Sequence, residues 1–430
     1  MKRVLSVILV VCIVLTMLPG TIAAEYQSTV LEVINRYRPN DDISFSVVSE
    51  KTLYSFSGEN AYTYYTLSPY GYAILYNKTN GLMEACYHEN AILPIDMTDD
   101  ICYYYGGPGV YCTLENNTYF NTFDKTYLNA EMVIATLEVE ALAQEYEIQK
   151  ASAERLDAAN SARTMPTEDI SVMRTVSVQY AYFSNLVEYG MNQNGTCTVI
   201  AAAMLLGYYD NFANELFVLP MYEDNRGTNE NFHQLLNDYV YGTNAQGGIF
   251  IHEAAAGINQ YLEDRFLSCI FASENSSRTA AINKMISELT SGNPIIASMA
   301  TAYSARYNHS VLVYSVTYDT ANPANTAVFT MNMGWHDGTS DGQTETEYVA
   351  SAGWFYECGY IESTCTSHTL NEWYDFDSYT HHRNCTACTY SESEAHNLHW
   401  DSLRGRCTRC GRTVSSGSGI FSISAEDEQG

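Results

Sequence analysis

Cys197 is the residue of this chain best placed by its surroundings to act as a nucleophile. It follows a polar loop that contains Gly195, and it precedes a run of small and apolar residues typical of a buried helix. A thiol in the first turn of a helix lies near unpaired backbone N–H groups and the positive end of the helix dipole, and both favour the thiolate. The sequence therefore offers a nucleophile that needs a base. A buried structural cysteine is the alternative interpretation.

His309 and Asn332 could supply the other two parts of a catalytic triad. A thiolate nucleophile needs an imidazole within hydrogen-bond reach, and the imidazole needs a partner that fixes its tautomer. His309 begins one strand-like run and Asn332 lies near the end of the next, so both could face one cleft. Trp335 could then shield the His–Asn hydrogen bond from water. A histidine with a purely structural role is the alternative for His309.

The motifs around these residues resemble a known family. Asn-Gly-Thr-Cys-Thr-Val-Ile-Ala-Ala-Ala-Met-Leu-Leu-Gly-Tyr-Tyr, which contains Cys197, resembles the nucleophile helix of bacterial papain-like cysteine peptidases of the streptopain-like and bacteriocin-processing kinds. Asn-His-Ser-Val-Leu-Val-Tyr, with His309, is similar to their Gly-His-Ala-Val strand, and Asn332-Met-Gly-Trp to their Asn-x-Gly-Trp motif. The resemblance covers about residues 180–360. It implies a papain-like peptidase domain over residues 171–365 with a Cys-His-Asn triad.

The same resemblance implies a glutamine before the nucleophile. In such enzymes its side-chain NH₂ joins the cysteine N–H in the oxyanion hole. Gln193 is the candidate, although it lies closer to the cysteine than in papain, so Asn192 or Asn194 could act in its place. Thr198 stands where glycine or tryptophan commonly follows the nucleophile, which we interpret as divergence with activity retained.

The elements that must position this triad indicate an α+β fold. Helical periodicity precedes a set of strand-like runs between residues 171 and 365, an order typical of α+β rather than alternating α/β proteins. Helices are predicted near residues 197–208, 231–239, 249–263 and 279–291, and strands near residues 294–301, 310–318 and 327–333.

Residues 25–170 have a different pattern. A short helix near residues 26–37 is followed by strand-like runs with Gly, Asn and Pro between them, and then by a long acidic helix near residues 128–158. Residues 160–169 are polar and break the periodicity, as an exposed linker does. By resemblance to streptopain-like zymogens, this segment is an inhibitory pro-domain. An accessory packing domain is the alternative.

Cys385, Cys388, Cys407 and Cys410 form two C-x-x-C pairs with eighteen residues between the inner cysteines. This spacing suits a tetrahedral Zn²⁺ site, so residues 366–414 are predicted to form a small zinc-ribbon-like module, followed by a flexible tail over residues 415–430. His-Thr-Leu and His-Asn-Leu each precede a C-x-x-C pair, which indicates a degenerate repeat. Disulfides are the alternative to zinc outside the cell.

Residues 1–24 are expected to be a secretory signal peptide, because two basic residues precede a short apolar run that small residues close. Loss of those two positive charges takes the formal net charge from −29 to −31. Such an acidic chain is unsuited to binding nucleic acid and favours solubility outside the cell. No later run is apolar enough for a transmembrane segment. Loss of Cys12 leaves eleven of the 12 cysteines, an odd number that permits a free Cys197.

The sequence thus predicts a secreted or cell-surface cysteine endopeptidase made as a zymogen. Its partners would be protein or peptide substrates and its own pro-domain as an intramolecular inhibitor. Catalysis would need no cofactor, and a structural zinc ion would be held in the C-terminal module. Two other functions fit the same residues: a non-catalytic binding protein on a peptidase-like scaffold, and an amidase or peptidoglycan hydrolase that uses the same triad.

Overall fold

The computed structural model shows an α+β protein, with helix and strand in about equal amounts and a large, mostly antiparallel sheet. It describes residues 30–37, 43–89, 91, 93–97, 100–122, 125–161, 173–183, 186, 196–224, 227–242, 248–299, 309–334, 348–365, 368–375, 380–386, 390–401 and 404–415. The predicted signal peptide, most of the predicted linker and the oxyanion-hole candidates Asn192, Gln193 and Asn194 lie outside the described residues, as do Trp335 and Cys388.

The helices confirm the periodicity read from the sequence. They are α1 (residues 30–36), α2 (Ala130–Ser161), α3 (Tyr180–Phe183), α4 (Cys197–Phe212), α5 (Glu230–Tyr241), α6 (Ile251–Asp264), α7 (Arg278–Thr290) and α8 (Pro323–Thr326). Local chemistry sets their ends. The Asn229 side chain accepts from the Phe232 N–H to begin α5, and Ser277 caps α7 in the same way through the Ala280 N–H. Gly292, with φ +86°, follows the end of α7.

The strands form one sheet of fifteen strands and three small sheets. The strands are β1 (Ser46–Tyr54), β2 (Asn60–Ser68), β3 (Tyr72–Tyr76), β4 (Gly81–Cys86), β5 (Tyr103–Tyr105), β6 (Tyr111–Glu115), β7 (Thr118–Asn121), β8 (Thr126–Tyr127), β9 (Met173–Ser177), β10 (Glu223–Asp224), β11 (Gly227–Thr228), β12 (Cys269–Glu274), β13 (Ile295–Met299), β14 (His309–Asp319), β15 (Val328–Asn332), β16 (Tyr348–Ser351), β17 (Phe355–Ser363), β18 (Tyr374–Asp375), β19 (Thr380–Asn384), β20 (Ser391–Ala395), β21 (Leu398–Asp401), β22 (Arg404–Cys407) and β23 (Thr413–Ser415). The three strands predicted after α7 are confirmed as β13, β14 and β15.

The large sheet runs in the order β12-β17-β13-β14-β15-β16-β4-β3-β2-β1-β5-β6-β7-β8, and β9 pairs with β14. Its strands come from both the predicted pro-domain and the predicted peptidase domain. The two segments join where β4 pairs antiparallel with β16, with Ala350 opposite Glu84 and Tyr348 opposite Cys86. Beside this junction, the Trp354 indole N–H donates to the Met83 carbonyl oxygen at 3.1 Å. Residues 25–170 therefore share a sheet with the residues that follow them.

Glu84, on the strand that pairs with β16, binds tyrosine hydroxyls in the core. Its carboxyl group is fully buried, and it accepts from the Tyr105 hydroxyl at 2.7 Å and from the Tyr111 hydroxyl. The Tyr111 hydroxyl also lies 3.0 Å from that of Tyr348 on β16. Burial raises the pKa of Glu84, although the tyrosine hydroxyls oppose that rise. A polar network thus links β4, β5 and β6 to a strand more than two hundred residues later.

The chain divides into two compact units. The first holds most of the large sheet and the first turns of α4, and the second consists of Leu206–Leu219, Tyr261–Ile270 and Ile361–Gly430. Within the second unit, β18, β19 and β20 form one three-stranded sheet and β21, β22 and β23 form another. No helix among the described residues is both long and apolar enough to cross a bilayer.

Candidate functional site

Cys197 begins α4, as predicted. The Thr196 carbonyl oxygen accepts from the N–H groups of Val199 and Ile200 at 3.0 and 3.1 Å, so Thr196 is the residue that precedes the helix and accepts its first hydrogen bonds. The side chains that follow are almost all buried, so the apolar run packs α4 into the core and fixes the position of its first turn. Cys197 itself is 5% exposed. Its thiol is held rigidly, near the positive end of the helix.

Thr198 and Ser310 surround the Cys197 sulfur with donors. The backbone N–H and the hydroxyl of both residues favour the thiolate, yet burial outweighs them and raises the pKa of Cys197. The two hydroxyls are themselves 2.8 Å apart, and the Thr198 hydroxyl donates to the Ile249 carbonyl oxygen at 2.9 Å. Burial therefore favours the protonated thiol of Cys197, in a site whose donors would stabilise the thiolate.

His309 begins β14, next to Ser310. Its Nε2 lies 2.7 Å from the Met333 carbonyl oxygen. A carbonyl oxygen can only accept, so Nε2 carries the proton and Nδ1 keeps its lone pair. Burial lowers the pKa of His309 to about 4, and the Met333 carbonyl opposes this shift without cancelling it. The imidazole is thus neutral at pH 7, and Nδ1 is the nitrogen that carries the lone pair.

Asn332 ends β15, where it pairs in register with Leu312 of β14. Its side-chain oxygen accepts from the Gly334 N–H at 2.9 Å, and its side-chain nitrogen, fully buried, has no hydrogen-bond partner among the described residues. Asn332 therefore holds the Met333–Gly334 turn, and the acceptor on the imidazole is the Met333 carbonyl. Gly334 has φ +63°, and a Cβ there would approach Ile200 Cγ2 to 3.0 Å.

These contacts form a chain through the predicted triad. The sulfur of Cys197 contacts Ser310, the residue after His309, and His309 contacts Met333, the residue after Asn332. The sequence motifs are thus brought to one end of β14 and β15. The predicted roles of Gln193 and its neighbouring amides stay predictions, because that loop lies outside the described residues.

Four contributors to this site escaped the sequence analysis: the donors of Thr198 and Ser310, the Met333 carbonyl and Tyr241. Burial, and after it the charge of the Cys197 thiolate, raises the pKa of the Tyr241 phenol, which places this tyrosine within electrostatic reach of the sulfur. Backbone groups leave no trace in residue type. Thr198 did carry a signal, because its residue type places a donor side chain directly after the cysteine.

The second unit holds two groups of metal-ligating side chains. In one group the ligand atoms of His381, His396, Cys407 and Cys410 all lie within 4.8 Å of one another. Cys407 Sγ is 3.5 Å from His381 Nδ1, and Cys410 Sγ is 3.5 Å from His396 Nδ1. Burial raises the pKa of Cys407, but the N–H groups of Cys410 and Arg409 and the His396 side chain outweigh it and bring the value to about 6.

The other group consists of Cys365, His368 and Cys385, again within 4.8 Å. Three of the four cysteines predicted as one ligand set are described, and they are divided: Cys407 and Cys410 join two histidines, and Cys385 lies in the separate group. C-x-x-C spacing is the same in both arrangements, so spacing alone could not distinguish them. None of the ten described cysteines forms a disulfide. Both groups could bind a metal ion.

A scan against protein-family models matches none of them, and a search of curated proteins finds no match. A functional assignment must therefore come from the chemistry of the two regions described above. The short motifs around Cys197, His309 and Asn332 carry the resemblance to papain-like peptidases.

Proposed function

We propose that this protein is a cysteine endopeptidase with a papain-like catalytic domain, exported and made as a zymogen. The observation that supports this most is the line of contacts from the Cys197 sulfur to the strand end of His309, and from His309 Nε2 to the Met333 carbonyl oxygen. It combines a helix-terminal thiol with an imidazole whose tautomer leaves Nδ1 as the base. A structural cysteine or histidine requires neither feature.

The reaction follows from these groups. His309 Nδ1 takes the thiol proton, and the Cys197 sulfur attacks the carbonyl carbon of a peptide. The developing oxyanion is stabilised by the Cys197 N–H and an amide of the preceding loop, for which Gln193 is the candidate. The imidazolium then gives its proton to the leaving amine, and a thioester remains. His309 next takes a proton from water, whose oxygen attacks the thioester, releases the acid and restores the thiol.

The protonated thiol supports a latent form of the enzyme. With its pKa raised by burial, Cys197 is a poor nucleophile at neutral pH. Residues 25–170 would maintain this state as a built-in inhibitor, and cleavage within residues 160–174 would relieve it. Because β4 pairs with β16 and Glu84 is bonded to tyrosines of the same network, the cut segment should stay bound rather than diffuse away.

An activity-based probe tests the proposal directly. After cleavage between residues 160 and 174, an epoxysuccinyl probe at pH 7 should label the wild-type chain on the peptide that contains Cys197. Cys197→Ser should abolish that label, and Cys358→Ser, which removes another buried thiol of the same unit, should leave it unchanged. Labelling of the wild type no faster than of Cys197→Ser would remove the main support for an enzyme and favour the inert-scaffold hypothesis.

Substrate class and maturation need separate measurements. Casein digestion is expected, and digestion of purified cell wall without casein cleavage would identify the amidase or peptidoglycan hydrolase.

Self-cleavage in the linker should stop in Cys197→Ala, and cleavage that persists would exclude autoprocessing. Size-exclusion chromatography of the cut chain should show both pieces in one peak at neutral pH.

Structural zinc is the cofactor that best suits the C-terminal Cys/His groups, within a zinc-ribbon-like module over residues 366–414. Thiolate and imidazole are the ligands of structural zinc sites. Two backbone N–H groups lower the pKa of Cys407, so that it is predisposed to the thiolate form that binds a metal.

A further inference from the structure

The degenerate repeat seen in the sequence is present in the backbone of the second unit. Leu370, two residues after His368, forms a bridge with Cys385. Leu398, two residues after His396, pairs with Cys407. In both places the residue that follows the histidine by two positions is thus in register with the first cysteine of a C-x-x-C pair.

The backbone hydrogen bonds of the first cysteine in each C-x-x-C pair are also equivalent. The Cys385 N–H donates to the Tyr390 carbonyl oxygen at 2.8 Å, and the Cys407 N–H donates to that of Arg412, also at 2.8 Å. Both bonds span five residues. The residue after each cysteine repeats the correspondence: the Thr386 N–H donates to the Thr369 carbonyl oxygen at 2.9 Å.

The matching bond in the second repeat joins the Thr408 N–H to the Asn397 carbonyl oxygen at 3.2 Å. Two copies of one backbone pattern therefore follow each other along the chain, one around His368 and Cys385 and the other around His396 and Cys407. Each copy is called a knuckle below. Equivalent backbones predict equivalent metal sites, provided that each copy has a full ligand set.

The copies differ at one ligand position. Cys365 stands three residues before His368, and Ser393 stands three residues before His396. The second copy therefore lacks the thiol that the first copy contributes at this position. His381 of β19, a strand of the first copy, provides a ligand atom to the second group in its place.

The geometry of the second group matches a tetrahedral ion. With Zn–S near 2.3 Å and Zn–N near 2.0 Å, a tetrahedral edge from S to N is about 3.5 Å. Both Cys–His pairs of the group have this separation, at 3.5 Å. His381 is fully buried, and its Nε2 has no hydrogen-bond partner among the described residues.

The Glu394 carboxylate lies 3.8 Å from His381 Nε2. At this distance it forms no hydrogen bond with Nε2, but it lies on the side of the ring where a carboxylate can orient a metal-binding imidazole. Trp373 also packs edge-on against the His381 ring, with centroids 4.5 Å apart. The ring thus has Nδ1 toward Cys407 and Nε2 toward the Glu394 carboxylate.

We propose that the second unit binds two zinc ions, one in each knuckle, and that His381 reaches from the first copy to complete the second site. This inference rests on the zinc assignment proposed above and changes it from one four-cysteine site to two mixed Cys/His sites. The second ion joins the sheet of β18–β20 to the sheet of β21–β23, because its ligands come from both. Metal binding thereby couples the folding of the two copies.

Metal counting on the full chain tests this. The chain is purified under reducing conditions, loaded with Zn²⁺ and dialysed against a weak chelator, and zinc per chain is measured by mass spectrometry of the elements. The wild type should retain two ions. His381→Ala should retain one, and His399→Ala, which changes an exposed histidine outside both groups, should retain two.

Each other outcome has a distinct meaning. One ion in the wild type would overturn the two-site proposal while leaving zinc binding intact, and no ion would overturn both. Two ions held equally well by His381→Ala would overturn the role of His381. Loss of the peptidase label described above would not affect any of these counts.

A measurement on the wild type covers the case in which His381→Ala does not fold. With ¹⁵N-labelled histidine, NMR of the full chain should show the Nδ1 resonance of His381 shifted to the metal-bound range when Zn²⁺ is added. An Nδ1 signal unchanged by Zn²⁺ would overturn the proposal.

Discussion

The chain uses cysteine in two opposite ways. At the start of α4, burial raises the pKa of Cys197 even though two N–H groups and two hydroxyls face the sulfur. At the second C-x-x-C pair, the N–H groups of Cys410 and Arg409 and the His396 side chain outweigh burial, and they lower the pKa of Cys407 to about 6. The Cys197 sulfur lies at the start of a helix and the Cys407 sulfur at a turn, and donors surround both. The balance between donors and desolvation decides which one is a thiolate.

This difference suits two kinds of chemistry. A metal ligand is useful when it is already deprotonated, because metal binding then displaces fewer protons. Under the proposed function, the raised pKa of Cys197 keeps its thiol unreactive until the chain is cleaved. The donors that would stabilise the thiolate are already in place around the sulfur, although burial keeps the thiol protonated. If the Cys197 site and the Cys/His groups act separately, a mutation in one region should leave the property of the other unchanged.

The largest effect is expected when one mutation in each region is compared for both activity and zinc content. In the cleaved enzyme, His309→Ala should reduce kcat/KM for a peptide substrate by about 10²–10⁴-fold, the usual contribution of a general acid–base group. Its zinc content should not change. Cys407→Ser should reduce the zinc content and leave kcat/KM within about twofold of the wild type. Steady-state kinetics and metal analysis on the same preparations provide both readouts. A comparable loss of activity in Cys407→Ser would refute the separation.

The pH dependence of alkylation sharpens the comparison at Cys197. Since its pKa is raised in the uncut chain, it should react with iodoacetamide at pH 7.5 more slowly than in the denatured chain, where a cysteine titrates near 8.5. The rate should keep rising at pH values where the denatured peptide has levelled off. Peptide mass spectrometry at timed intervals measures both. A profile that levels off below pH 8 would mean that Cys197 is already a thiolate and that the uncut chain is not latent.

The sequence predicted the parts of this molecule that depend on periodicity. The helices α4 and α7 and the strand that carries His309 follow from long, consistent patterns. The three triad positions, which the motifs suggested, stay predictions. Pairing of β4 with β16 could not be predicted, because it joins segments more than two hundred residues apart and each reads as an ordinary buried strand. A backbone carbonyl such as that of Met333 has no signature in residue type.

The metal clusters show a different limit. The C-x-x-C spacing predicted that these cysteines belong to groups able to bind a metal ion, but which cysteine lies beside which histidine depends on how the chain folds around them. His381 is one of two adjacent histidines, and only the register of β19 selects it. Ser393 occupies the position that corresponds to Cys365, and this difference in sequence indicates that the second copy lacks one ligand of its own.

A smaller effect is expected at Asn332. If it acts by holding the Met333–Gly334 turn, Asn332→Ala should lower kcat/KM on the order of tenfold, the value of one hydrogen bond. The acid limb of the pH–rate profile should shift as well, because the Met333 carbonyl is no longer held against the imidazole. Asn325→Ala, at an asparagine of α8, is the matched control and should change neither. Loss of activity with an unchanged profile would mean that Asn332 acts only on the stability of the fold.

The smallest effect is a pH dependence of stability that His309 imposes. The pKa of His309 is about 4 in the folded chain and near 6.5 in the unfolded chain. Between these two pH values the imidazole is protonated in the unfolded state and neutral in the folded state. The stabilisation is fully present above pH 6.5 and is lost as the pH falls from 6.5 toward 4, by about 2–3 kcal/mol. Urea unfolding at pH 7 and pH 4.5 should therefore show a smaller pH difference in His309→Gln than in the wild type. Equal differences in the two chains would mean that the imidazole is solvated rather than buried beside Met333, and the tautomer argument for Nδ1 as the base would fall with it.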